Sequence, residues 1–80
     1  MVRLRKKEIK DGIIYYYYQI EGKGEWGELF LNTNNNQNGW IKLAEGDEAD
    51  YDRWRQKAYM WIRQRVGENN FPEKGIVAWG

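Results

Sequence analysis

Residues 13–21, Ile-Ile-Tyr-Tyr-Tyr-Tyr-Gln-Ile-Glu, constrain this chain more than any other stretch. β-Branched and aromatic side chains crowd a helix and suit the pleated surface of a strand. A strand sends alternate side chains to opposite faces. The run therefore calls for a sheet with tyrosines on both sides, one set turned to a core and one turned away.

The preceding residues set the pairing. Asp11-Gly12 is a turn signal, and residues 2–9 alternate loosely through Val2, Leu4 and Ile9. A two-residue Asp-Gly loop would pair Lys10 with Ile13. Arg3, Arg5 and Lys7 would then share a face with Tyr16, Tyr18 and Ile20, and neither face would be clean. A three-residue loop, Lys10-Asp11-Gly12 with Gly12 in the left-handed bulge position, pairs Ile9 with Ile13 instead. Val2, Leu4, Ile14, Tyr16, Tyr18 and Ile20 then line one face. Arg3, Arg5, Lys7, Ile9, Ile13, Tyr15, Tyr17 and Gln19 line the other. Register follows the separation of apolar from polar side chains, so the second pairing is expected.

Gly22-Lys23-Gly24 breaks this strand. Trp26 to Thr33 reads as a third strand whose buried face stays open, because Leu29 and Leu31 compete with Trp26 and Phe30. A polar turn, Asn34 to Gly39, leads to a short strand over Trp40 to Leu43. A helix is expected next, with Asp47 as N-cap and with Glu48, Asp50 and Asp52 loading its first turns. Arg63 and Arg65 fall in its last turn and Gly67 in the C′ position. At about 100° per residue, Tyr51, Trp54, Ala58, Tyr59, Trp61, Ile62 and Val66 share one broad face. Arg55 and Arg65 lie within that arc, stems packed and heads in water. Met60 points the other way. Ile76 to Trp79 closes the chain as a strand. The expected fold is α+β, one domain over residues 1–80: a small antiparallel sheet in ββββαβ order with one amphipathic helix packed on one face.

Composition narrows function mainly by exclusion. There is no Cys and no His, so disulfides, thiolate ligands and the commonest general base are missing. Lys plus Arg is 13 against 12 for Asp plus Glu. A net charge of +1 exerts no overall pull on nucleic acid or anionic lipid. The basic residues after Met1 have no apolar segment behind them, so they do not make a secretory signal. No apolar run is long enough to span a membrane. A cytoplasmic, non-enzymatic protein without cofactor or metal is the expectation. The carboxylates Glu45, Asp47, Glu48, Asp50 and Asp52 cluster, but without the spacing or glycine of a calcium loop. They suit the positive end of a helix.

Gly22-Lys23-Gly24-Glu25-Trp26-Gly27 resembles the glycine-rich loop of protein kinases, which also lies between two strands. That resemblance implies a lid over ATP phosphates, with Lys42 as the phosphate-pairing lysine. The chain lacks a catalytic loop and a metal-binding Asp motif, so the glycines read as a hairpin loop. Asn38-Gly39-Trp40 and Tyr15 to Tyr18 are similar to the aromatic repeats of choline-binding cell-wall modules, but stand here as a single copy. Phe71-Pro72-Glu73-Lys74-Gly75-Ile76-Val77-Ala78-Trp79, following a helix, resembles the ending of small uncharacterised bacterial proteins. That resemblance carries no activity to transfer. Within the chain itself, Pro72 stops a helix and Trp79 would anchor the last strand.

The face away from the helix is the candidate site: Arg3, Arg5, Lys7, Tyr15 and Tyr17. Lys7 is expected opposite Tyr15, and Arg5 opposite Tyr17. Tyrosine and arginine are enriched where proteins meet proteins. Basic groups beside aromatic planes also suit single-stranded nucleic acid. Cross-strand cation–π packing on a wet sheet face needs no ligand at all. The expectation is a protein-interaction module, including self-association as a homodimer, with single-stranded nucleic-acid binding through the same face as the alternative.

Overall fold

The computed structural model describes residues 1–78. The elements are β1 (Val2–Lys10), β2 (Ile13–Ile20), β3 (Gly27–Asn32), β4 (Gln37–Lys42), α1 (Arg53–Glu68) and β5 (Lys74–Val77). All five strands join one antiparallel sheet in the order β4-β3-β2-β1-β5. The fold is α+β in ββββαβ order, as the sequence leads one to expect. β1 to β4 form a meander of hairpins. α1 then crosses one face of the sheet and delivers β5 to the far edge, beside β1. Trp79 lies outside the described residues.

The core forms between α1 and the inward face of the sheet. Val2, Leu4, Ile14, Tyr16, Tyr18, Leu29 and Leu31 meet Ala58, Tyr59, Trp61 and Ile62. Leu29 and Leu31 take the core side of β3, leaving Trp26 and Phe30 for the other. Each buried tyrosine hydroxyl finds a partner, as buried polar groups must. Tyr16 donates to the Pro72 carbonyl at 2.7 Å, Tyr59 to the Gly39 carbonyl at 2.8 Å, and Tyr18 to the Asp47 carboxylate.

The β1–β2 register combines the two pairings weighed above. Val2 faces Ile20, Leu4 faces Tyr18 and Arg5 faces Tyr17, which is the pairing chosen. Near the turn, however, Lys10 faces Ile13 across a two-residue loop, and the expected three-residue loop is not formed. Asp11 at φ 54° and Gly12 at φ 77° make the left-handed pair that a two-residue hairpin turn prefers. A bulge at Lys7 absorbs the extra residue. Two expectations change with it. Glu8, not Lys7, sits opposite Tyr15. Ile9 pairs with Ile14 and leaves the open face for the helix side, where it stays 46% exposed.

The helix also starts later than its sequence suggests. Asp47 does not cap it. Its side chain is wholly buried, with an oxygen 3.1 Å from Arg55 Nε, and it accepts the Tyr18 hydroxyl. Arg55, expected to reach water, is only 3% exposed and donates to the carbonyls of Glu48 and Ala49. The inward carboxylate balances the charge of the buried guanidinium, whose other donors reach backbone carbonyls. Asp52 takes the N-cap position, and Tyr51 stays outside the helix and exposed. The acids thus precede the first turn, which itself holds none. At the other end Gly67 is helical, and Asn69 at φ 52° is the left-handed residue. The Asn69 and Asn70 N–H groups close the last turn onto Val66 and Arg65.

Candidate interaction face

Strand pairing places Arg3, Arg5, Tyr15 and Tyr17 on the sheet face opposite α1, as expected. Lys7 joins them from its bulge. Its ammonium lies 5.9 Å from the Tyr15 ring centre and 6.0 Å from that of Tyr17. It is held by both oxygens of Glu28 at 3.1 Å, and that hydrogen bond raises its pKa above the usual lysine value. Arg3, Arg5 and Lys7 are exposed, whereas Tyr15 and Tyr17 are half-buried. Phe30 packs beside Tyr15, ring centres 6.2 Å apart. Room for Phe30 comes from Gly39 across the strand pair, where a Cβ would fall 2.6 Å from the ring.

The two ends of this face differ in electrostatics. At the centre, Lys7 and Glu28 neutralise each other. Toward β5, Arg3 pairs with Ile76 and Arg5 with Lys74. The Arg5 guanidinium lies 5.6 Å from the Trp26 ring centre. Together Arg3, Arg5, Trp26, Lys74 and Ile76 line an open trough of about 290 Å³. Among the described residues, no carboxylate comes within 4 Å of the cationic groups of Arg3, Arg5 or Lys74.

Charge is therefore segregated, although its sum is only +1. By register the open face carries Arg3, Arg5, Lys7, Lys10, Lys42 and Lys74 against Glu8 and Glu28, and Glu25 reaches Lys42 from the β2–β3 connection. Most carboxylates lie elsewhere, in the segment from Glu45 to Asp52 above all. Net charge alone conceals this, because it carries no information about which strand face a residue occupies.

Trp26, Phe30, Lys74 and Ile76 belong to the site and were not singled out from sequence. Phe30 has a readable signal in Asn38-Gly39, a glycine opposite an aromatic. Lys74 and Ile76 have none, since nothing local states that β5 returns to β1.

The other motifs resolve into structure. Gly22 and Gly24 have φ of 68° and 77° in the β2–β3 connection. A Cβ on Gly27 would strike the Ala44 backbone and the Tyr18 ring. Lys42 lies 3.6 Å from Glu25, within an ion pair. Among the described residues, no three carboxylates are grouped to hold a metal ion, and no helix is long and apolar enough to cross a membrane. No family model, curated protein or solved structure gives a significant match to the chain, so the reading of this face rests on its own geometry.

Proposed function

We propose that the chain is a non-enzymatic protein-interaction module that engages an acidic partner through its open sheet face. One observation carries the reading: Arg3, Arg5 and Lys74 gather around Trp26 with no carboxylate to neutralise them among the described residues. Unpaired cations beside an aromatic anchor match the side-chain preferences of protein interfaces. They also accelerate encounter with an oppositely charged surface. Two copies meeting face to face would each bring a net positive face, which favours an acidic partner over a second copy.

Nucleic acid is the weaker reading, because stacking needs free ring faces. Lys7 already sits against the Tyr15 and Tyr17 rings, its ammonium 5.9 and 6.0 Å from their centres. Titrations with octaglutamate and with (dT)8, followed by amide chemical shifts, test the choice. Octaglutamate is expected to shift Arg3, Arg5 and Trp26 saturably, and (dT)8 to do so far less. The opposite ranking assigns the face to nucleic acid. Sedimentation at several concentrations covers self-association: a dimer abolished by Tyr15→Ser with Tyr17→Ser would replace the acidic partner with a second copy.

A further inference from the structure

We infer that the partner adds as an extended strand to the free edge of β5, with acidic and apolar side chains alternating along it. This rests on the open face being protein-binding and specifies how. β5 is the last strand of the sheet, so among the described residues one row of its backbone groups has no strand partner. Its pairing with β1 runs from Val2–Val77 to Arg5–Lys74 without a register shift. The opposite edge, β4, is kinked by a bulge where Glu28 pairs with Lys42 and Leu29 with Trp40. Bulges of that kind discourage strand addition.

Two cavities are lined in part by β5, on opposite sides of the sheet. On the open side lies the trough of Arg3, Arg5, Lys74 and Trp26. On the helix side, a cavity of about 150 Å³ lies between α1 and β5, lined by Met60, Trp61, Val77 and Ala78 together with Lys57 and Gln64. Met60 there is 56% exposed. A strand lying beside β5 sends alternate side chains to the two sides. One set meets the cations of Arg3, Arg5 and Lys74, and the other meets the Met60 thioether, the Trp61 indole and Val77, with Lys57 and Gln64 at the same cavity. Backbone pairing would supply affinity and the two cavities would select the sequence. Lys74 discourages uncharged edges from pairing here, yet complements an acidic one.

The test uses three probes on the full chain: a capped hexapeptide alternating Glu and Leu, its block isomer with the Glu residues first, and (dT)6. Readouts are amide exchange at Lys74 to Val77 and the indole signals of Trp26 and Trp61. The alternating peptide is expected to slow β5 exchange, to shift both indoles, and to bind about tenfold more tightly than the block isomer. Arg3→Glu with Arg5→Glu should weaken it about tenfold, and Met60→Glu should weaken it as well. Equal affinity for both peptides, or unaltered β5 exchange while Arg3 and Arg5 respond, overturns strand addition and leaves the open face as a protein site. A response to (dT)6 alone, or to none of the probes, overturns both.

Discussion

The Trp61 indole meets the Tyr16 ring edge-on, with ring centres 5.4 Å apart and planes at 79°. Across the same indole lies Gly75, whose missing Cβ leaves the space the ring occupies. Helix, central sheet and last strand are thus joined at one side chain. Trp61→Ala is expected to cost about 3–5 kcal/mol in urea unfolding. Gly75→Ala should cost about 1–3 kcal/mol through overpacking. Trp54 packs only partly against the core, so Trp54→Ala should cost about 1–2 kcal/mol. Equal losses at Trp54 and Trp61 would contradict this packing.

Asp47, Arg55 and Tyr18 form a buried polar knot between the β4–α1 segment, the helix and β2. Removing one ion of a buried pair strands the other. Asp47→Ala should therefore destabilise by about 3–5 kcal/mol, while Asp47→Ala combined with Arg55→Met should recover part of that loss. Tyr18→Phe removes the hydroxyl that donates to Asp47 and accepts from the Ala44 N–H, and should cost about 1–3 kcal/mol. A double variant no better than the single would show that the pair is not coupled.

Burial pushes the Tyr16 and Tyr59 hydroxyls up to about 12, and raises that of Tyr18 as well. Folding thus favours their protonated forms. Their contribution is complete below the unfolded tyrosine value near 10 and is lost as pH rises from there toward about 12. Each such tyrosine should remove about 1.4 kcal/mol per pH unit in that window. Urea midpoints measured between pH 9 and pH 11.5 are expected to fall steadily once pH 10 is passed; flat midpoints would refute the linkage.

The tyrosine run provides the sharpest test of register. Tyr16→Ser with Tyr18→Ser should unfold the domain, since both side chains are fully buried. Tyr15→Ser with Tyr17→Ser should leave it folded, with a loss of about 1–2 kcal/mol for contacts with Phe30 and Lys7. Circular dichroism and thermal melting separate the outcomes, and a reversed pattern would mean that β2 is turned over.

Strand identities, element order and the inward row from Val2 to Ile20 were legible because period-two patterning is local. The turn was not, because a bulge at Lys7 lets a two-residue loop and a clean core coexist. Pattern separation alone cannot locate such an insertion. The helix start is hidden from the sequence for a different reason. An aspartate before an apolar run resembles a cap, and only tertiary structure reveals a buried arginine waiting for it. At the candidate site, Arg3, Arg5, Tyr15 and Tyr17 could be placed from one hairpin. Lys74 and Ile76 reach it through a pairing between opposite ends of the chain, and no local rule encodes that.

That pairing has a kinetic consequence. The meander from β1 to β4 closes through short loops, whereas Val2 meets Val77 only after almost the whole chain is threaded. Loop-closure entropy makes so distant a contact late to form. A four-residue strand on a sheet edge is likewise early to open under native conditions. The β5 amides should then exchange faster than those of β2, which is paired on both sides. A segment bound along β5 would act as a clasp on the loosest seam of the molecule, so occupancy would register as a rise in melting temperature as well as a change at the surface.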